Sequence, residues 1–365
     1  MRDAGHKKVG LVLGAGGVLG GAWLTGGLHA LASETGWDPG SADRIVGTSA
    51  GSVIGALVAA GVPPWFMVAH SDGETFEGLD GPDGRPAAEA DRSGGGVFHL
   101  DRRLPPRLGP GSLRMALTTL RNPLRHTPLQ LVAGWLPLGF VSTATIEDTI
   151  RRAVPEGWVD HPSYWAVACD YRSGRRTAFG RDDAPAADLP AAVAASCAIP
   201  GFYRPVTIGG RRYVDGGVCS ASSLDLLANR DLDLVICLNP LSSLDREASG
   251  HPIDRFQQVT RSGNGRRLGS EAKKVRASGT EVVLLQPTAE DHRAMGRNLM
   301  SGRRRQAVIQ TAIGTVTEQL RAPDLRRRLE GLPEGEPHKL KRPSGPVEDW
   351  PELLSAARPA GASAG

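Results

Sequence analysis

Aromatic residues make up only 5% of the 365-residue chain. Its core must therefore be built mainly from Ala, Val, Leu and Ile. Cysteine is as scarce, at Cys169, Cys197, Cys219 and Cys237. No two of these form a CxxC pair, and three sit in runs of small or apolar residues, as buried thiols do. This excludes a disulfide framework and points to a reducing compartment. No run of 18 apolar residues occurs, so no membrane-spanning helix is expected. The N-terminal Met-Arg-Asp-Ala-Gly-His-Lys-Lys is followed by too few apolar residues for a signal-peptide core. The expected location is cytoplasmic, with room for peripheral membrane contact. A large charge of one sign is also lacking. The formal net charge is +4, too small to argue for nucleic acid but compatible with an anionic membrane surface.

Glycine and proline are instead plentiful, with 47 and 27 residues. Together they form about a fifth of the chain, against roughly 12% on average and 25–30% in low-complexity chains. The glycines lack a three-residue period, which excludes collagen. Most of them should therefore serve specific backbone geometries.

Val9 to Leu13 reads as a buried strand, followed by a glycine-rich loop from Gly14 to Gly21 and a helix from Ala22 to Thr35. A second strand, Arg44-Ile45-Val46, runs into Gly47-Thr48-Ser49-Ala50-Gly51 and then a helix ending near Ala60. This strand–loop–helix–strand–turn–helix order opens a parallel α/β sheet. Residues 71–111 are rich in Gly, Pro, Asp and Arg and read as a long loop. Residues 112–153 read as helical, broken at Pro123, Pro128 and Pro137. Together, 71–160 form a variable loop and helical insertion, a candidate lid. From Asp101 to Arg125 there are six arginines and one acid, interleaved with leucines and Met115. Strands follow at 165–169 and 176–179, an Ala-rich helix at 189–198 and a hairpin over 206–214. Further buried strands cover 234–238 and 281–285, and an amphipathic helix covers 306–320. The expected organisation is one domain over 1–330, with a disordered tail over 331–365.

Three motifs carry chemistry. Gly47-Thr48-Ser49-Ala50-Gly51 is a GxSxG sequence between a strand and a helix, where a sharp turn presents a serine. Gly47 and Gly51, two residues either side of Ser49, relieve clashes in that elbow. Gly14-Ala15-Gly16-Gly17 opens a loop whose N–H groups can hold a pyrophosphate or an oxyanion. The dinucleotide fingerprint fails here, because Leu19 stands where its last glycine belongs. The second strand also lacks the acid that such sites carry. Third, Val214-Asp215-Gly216-Gly217 places an aspartate at a strand end, and a serine nucleophile needs a base. Of nine histidines, only His251, His292 and His338 follow Asp215 in the order of an ordinary hydrolase triad. None of them sits in a strand-end context.

These blocks resemble the patatin-like phospholipases. So do Ala195-Ser196-Cys197-Ala198-Ile199-Pro200-Gly201-Phe202 and Gly210 to Val218, and the likeness covers 9–64 and about 165–240. It implies a three-layer α/β/α sandwich around a mostly parallel sheet, with a helical and loop insertion. It also implies Ser49 as nucleophile, Asp215 as base without histidine, and an oxyanion loop at Gly14, Ala15, Gly16 and Gly17. Gly216 and Gly217 form the dyad loop. The implied activity is hydrolysis of lipid acyl esters through an acyl-enzyme, as in a phospholipase A or lysophospholipase, with neither metal nor cofactor. Two positions depart from the family pattern. Leu19 replaces a basic residue, and Cys219-Ser220-Ala221-Ser222-Ser223 replaces Asn-x-Pro. An acyltransferase or thioesterase on the same dyad is the alternative, followed by a nucleotide-binding module. The expected partner is a lipid or acyl ester. The segment 101–140 is the candidate membrane contact, its arginines meeting phosphates while Leu side chains and Trp135 enter the interface.

Overall fold

A computed structural model describes residues 7–72, 109–123, 126–155, 157–161, 163–243 and 252–335. Five strands run parallel in the order β3 (Tyr164–Asp170), β2 (Arg44–Thr48), β1 (Val9–Leu13), β7 (Leu234–Leu238) and β8 (Glu281–Leu285). β4 (Arg176–Phe179) and β6 (Arg211–Asp215) both pair antiparallel with β3, and β5 (Val206–Ile208) pairs antiparallel with β6.

The register along β3 has an unusual consequence. β2 pairs with Tyr164 to Val167, and β6 with Ala168 to Asp170. β4 covers Ala166 to Cys169 and so overlaps both partners. A strand has two hydrogen-bonding edges. β2 and β6 must therefore lie in tandem along the edge that β4 leaves open. β2 ends opposite Val167 at Thr48, and β6 ends opposite Ala168 at Asp215. Their C-terminal ends meet head to head.

Alternation along the strands divides the core in two. Leu11, Leu13, Ile45, Ala166, Ile236 and Leu238 face one side. There they meet α1 (Gly17–Thr35), α2 (Ala50–Ala59), α3 (Pro64–Asp72), α6 (Ala144–Ala153), α7 (Leu189–Cys197) and α10 (Arg305–Arg321). Val12, Val46, Trp165, Val167, Val235 and Cys237 face the other side, toward Leu268, Ala272 and Val275 of α8 (Pro252–Ala277). On that same face, α4 (Leu113–Leu120) and α5 (Pro128–Ala133) cover Cys169, Tyr171 and Val214. Two short helices, α9 (Ala289–Met295) and α11 (Pro323–Leu329), flank α10 in sequence. The result is the expected three-layer α/β/α sandwich with a mostly parallel sheet. All four cysteines are buried and unbridged.

Several elements differ from the sequence reading. The glycine-rich loop is short, because α1 starts at Gly17 rather than Ala22. Tertiary packing overrides the weak helix propensity of its glycines. α3 starts at Pro64, where proline suits a first helical turn. α8 is a helix that the sequence pattern does not announce, since Gly263, Gly265 and Gly269 interrupt it. Of the expected loop over 71–111, positions 73–108 lie outside the described residues, as do 336–365 of the expected tail.

α1 and α10 pack with their backbones close. A Cβ added at Gly26 would meet the Ile309 carbonyl oxygen and lie 2.9 Å from the Ala312 Cβ. Gly314 on α10 faces open space. Gly26→Ala is therefore expected to lower unfolding free energy by about 1–3 kcal/mol through overpacking. Gly314→Ala should raise it by up to about 1 kcal/mol through helix propensity. Denaturant titration of both variants checks this; equal and favourable shifts would contradict the close packing.

Candidate active site

The turn from β2 into α2 is sharp. Ser49 has φ 54° and ψ −123°, a positive φ that a side chain rarely adopts. Residues held this way cost about 1–3 kcal/mol and persist only where their surroundings hold them. Both flanking glycines are required by close approach. A Cβ at Gly47 would lie 2.5 Å from the Gly51 carbonyl oxygen, and one at Gly51 would run into the Leu13 carbonyl.

Two sets of hydrogen bonds hold the strained serine. Its N–H donates to Ser196 Oγ at 2.9 Å, and the Ser196 hydroxyl donates to the Val167 carbonyl at 2.6 Å. Its carbonyl accepts from Ser52 N and Ser52 Oγ, each at 2.7 Å. Ser196 is thus a strut between α7, β3 and the strained turn at Ser49. In the sequence it stands within a family-like stretch, with nothing to mark this role.

The Ser49 hydroxyl donates to Asp215 Oδ2 at 2.6 Å. The other carboxylate oxygen, Oδ1, accepts from Gly217 N at 2.7 Å, and the Asp215 N–H donates to the Ala198 carbonyl at 2.9 Å. Both side chains are 5% exposed. Burial pushes the Asp215 carboxyl up to about 6, while the hydrogen bonds from Ser49 and Gly217 pull it down. Burial and the neighbouring Asp215 also raise Cys197, so its thiol stays protonated. Among the described residues no histidine bonds to Ser49 or Asp215. His292 lies in α9, and His251 and His338 are outside the described residues.

The glycine loop lies against this pair. A Cβ at Gly217 would be 3.4 Å from Ala15 Cβ, and the Gly21 and Ala50 positions are 3.8 Å apart on the same measure. The loop's four N–H groups are not equivalent. Gly14 N donates to the Leu238 carbonyl at 2.9 Å and Ala15 N to the Ala221 carbonyl at 2.7 Å. These two N–H groups are engaged by main-chain carbonyls and anchor the loop. Leu19 N is also engaged, at 2.9 Å from the Leu299 carbonyl. The N–H groups of Gly16, Gly17 and Val18 have no protein acceptor among the described residues and sit at the start of α1, its electropositive end.

A buried carboxylate that the sequence does not flag organises the segment after Asp215. Glu271 of α8 is 3% exposed. It accepts from Ser220 Oγ at 2.7 Å, Ser222 Oγ at 2.5 Å, Leu224 N at 3.1 Å and Arg267 Nε at 3.0 Å. The segment so held carries Ala221, whose carbonyl anchors Ala15, and Ser223, whose hydroxyl accepts from Thr48 Oγ1 at 3.3 Å. Ser220 and Ser222, within the stretch that departs from the family pattern, thus supply donors to a buried glutamate side chain.

Beside the site lies an apolar surface. Leu113, Leu117, Leu120, Leu129, Val132, Trp135 and Phe140 are 45–55% exposed. All the strongly exposed large apolar side chains among the described residues fall in this stretch. It is fastened to the segment after Asp215, with Thr127 Oγ1 donating to the Val218 carbonyl at 2.6 Å, and to the β3–β4 turn, with Gln130 Nε2 donating to the Gly174 carbonyl at 2.8 Å. Within the candidate membrane segment 101–140, positions 101–108 and 124–125 lie outside the described residues. No helix among the described residues is long and apolar enough to cross a membrane.

A family model described as patatin-like phospholipase matches residues 11–228. Among solved structures, the chain is similar to VipD from Legionella pneumophila, with 12% identity over 86% of this chain and 66% of that one, at a TM-score of 0.40. It is also similar to the type III effector protein ExoU, with 17% identity over 89% of this chain and 54% of that one, at a TM-score of 0.34. The chain thus spans less than two thirds of the length of either structure. No curated protein matches it.

The raised carboxyl of Asp215 links stability to pH. Its folded-state affinity for a proton exceeds that of the unfolded chain, where the ordinary value is 3.8. This favours folding below about pH 4 and is lost as pH rises through about 6. Asp215→Asn removes the buried charge at high pH and keeps an acceptor for Gly217. Relative to the unaltered protein, the variant should therefore gain up to about 3 kcal/mol between pH 4 and pH 8. Denaturant unfolding at both pH values measures the gain, and no pH-dependent difference would mean that burial does not penalise the carboxylate.

Proposed function

Because the chain belongs to the patatin-like phospholipase family, we propose that it is a lipid acyl hydrolase in which Ser49 and Asp215 form the catalytic dyad. The observation that carries this reading is the 2.6 Å hydrogen bond from Ser49 Oγ to Asp215 Oδ2, made by a strained serine at a strand–helix turn. Ser49 attacks the acyl carbonyl while ionised Asp215 takes its proton. A carboxyl pushed up to about 6 is a stronger base than an ordinary aspartate, yet ionised at neutral pH. The tetrahedral oxyanion sits against the N–H groups of Gly16, Gly17 and Val18, with the positive end of α1 behind them. Collapse expels the alcohol, which takes the proton from Asp215, and leaves an acyl-enzyme on Ser49. Water, deprotonated by Asp215, then releases the fatty acid.

The exposed apolar surface supports a lipid substrate presented at a membrane. An apolar patch of this kind on a soluble face marks an interaction site. From Arg102 to Ile146 the sequence carries six arginines and no acidic residue, a charge pattern complementary to phospholipid headgroups. The tie between this surface and Val218 brings a membrane docked there to within three residues of Asp215 in sequence.

Ser49→Ala and Asp215→Asn should each lower kcat/KM on a soluble p-nitrophenyl acyl ester by about 100-fold or more. Retained activity in Asp215→Asn would exclude the dyad. For the unaltered enzyme, kcat/KM should fall tenfold per pH unit below about 6, as Asp215 takes up its proton. A flat profile between pH 5 and 8 would assign the base elsewhere. Leu117→Glu combined with Trp135→Glu should reduce hydrolysis of vesicle phospholipid by about tenfold or more while sparing the soluble ester. Equal losses on both substrates would count against membrane contact by this face.

A further inference from the structure

Four exposed arginines gather around one cavity away from the dyad. An open cavity of about 490 Å³ lies where the tip of the β5–β6 hairpin meets the start of α4. Arg114, Arg172, Arg211 and Arg212 line it, and among the described residues no acidic side chain does. Arg211 pairs with Asp170 at 3.3 Å, and the Arg212 guanidinium lies over the Tyr171 ring at 5.8 Å. Among the described residues no carboxylate lies within ion-pair distance of Arg114, Arg172 or Arg212. Like charges gathered without counter-charge repel, and an anion between them relieves that repulsion. Arginine suits a phosphate in particular, because its planar fork can bond two oxygens at once. The positive end of α4, capped by Ser112, opens onto the same cavity.

The cavity also borders the apolar surface. Leu113 lines it and is itself 55% exposed. Leu117 and Leu120 extend from Leu113 along one ridge of α4. A ligand with a phosphate in the cavity would therefore lay an apolar portion along that ridge. Arg211 and Asp215 stand at opposite ends of β6, roughly 13 Å apart at strand rise. A phosphate held here is thus separate from the ester group at Ser49.

We propose that this cavity binds the phosphate-bearing headgroup of an anionic phospholipid, which anchors the protein on the membrane with its acyl chains along the Leu113–Leu120 ridge. The assignment rests on the membrane contact proposed for that face and is independent of the hydrolase chemistry.

Vesicle co-sedimentation tests it. The full chain is mixed with phosphatidylcholine vesicles alone, or with vesicles matched in surface charge that contain phosphatidic acid or phosphatidylserine. Phosphatidic acid, with its terminal phosphate, should bind at least about tenfold more tightly than phosphatidylserine, a free-energy gap of about 1.4 kcal/mol. The triple variant Arg114→Gln, Arg172→Gln, Arg212→Gln should weaken that binding by about 100-fold, at roughly 1 kcal/mol for each cation lost. The single variant Arg172→Gln, which alters one exposed side chain, should lose about fivefold on the same scale. Arg303→Gln combined with Arg327→Gln, remote in sequence, should bind as the unaltered protein does.

Equal affinity for the two anionic lipids, or equal losses in the remote variant, would overturn the site in favour of unspecific attraction. Competition by soluble glycerol 3-phosphate at the affinity seen for vesicles would overturn the lipid assignment in favour of a free phosphate ester. Binding to phosphatidylcholine that phosphatidic acid does not improve would remove the headgroup site and leave the apolar contact standing. Absence of binding to every vesicle would remove both.

Discussion

The site depends on a single feature of sheet pairing: two strands share one edge of β3. β2 occupies that edge up to Val167 and β6 takes it over from Ala168. Two chain ends that would otherwise be a strand width apart are thereby brought into line. The residue after β2 is Ser49, and the last residue of β6 is Asp215. Their 2.6 Å contact is thus set by backbone hydrogen bonds on both sides rather than by flexible side chains reaching across a cleft. This also explains the crowding. Any Cβ at Gly216 would strike the Val167 carbonyl, because the chain leaving β6 passes directly over the junction.

The junction imposes a balance of costs. Ser49 is strained and Asp215 is buried, and neither state is stable on its own. The Ser196 hydroxyl fixes the first by accepting from Ser49 N and donating to the Val167 carbonyl, on the very strand that aligns the dyad. Gly217 N and the Ser49 hydroxyl partly offset the second, leaving a carboxyl near 6 rather than higher. Glu271 works one layer out. Three of its four hydrogen bonds hold residues 220–224, the fourth coming from Arg267 on its own helix, and residues 221 and 223 in turn hold Ala15 and Thr48. The loop at Gly14, the end of β2 and the turn after Asp215 are therefore braced by the same buried side chain.

The division between what is legible in the sequence and what is not comes down to range. The elbow at Ser49 can be read because its requirements are local: a strand before it, a helix after it and glycine at positions 47 and 51. The parallel strands can be read for the same reason, since each is a short apolar run bounded by turns. Asp215 can be nominated as a strand-end aspartate, but its pairing with Ser49 comes only through resemblance, because that partner is 166 positions away and set by register on β3. Ser196 and Glu271 carry no local mark at all; a serine or a glutamate in a helix is ordinary until the fold buries it. α8 escapes a sequence reading because glycines weaken its pattern, while the packing of Leu268, Ala272 and Val275 on the sheet restores it. In sequence, the loop at Gly14 offers four equivalent donors. Two of them are consumed in anchoring it, a distinction that depends on the carbonyls of Leu238 and Ala221.

The insertion is where fold and surface chemistry join. Its inner side is ordinary core: Met115 and Ala133 pack with Cys169, Val214 and Val218. Its outer side presents Leu117, Leu120 and Trp135 to solvent, at a free-energy cost that an isolated soluble domain would have no reason to bear. The same short helices carry both sides, and the Thr127 hydroxyl at the start of α5 ties them to the Val218 carbonyl. Arg212 lies two residues before Val214 on the same strand that ends in Asp215. One strand, β6, therefore lines the cationic cavity at its start, makes a core contact in its middle and carries the candidate base at its end. The spacing between the cavity end of β6 and Asp215 is therefore set by strand geometry, because the hydrogen bonds of β6 to β5 and β3 leave its length no freedom to change.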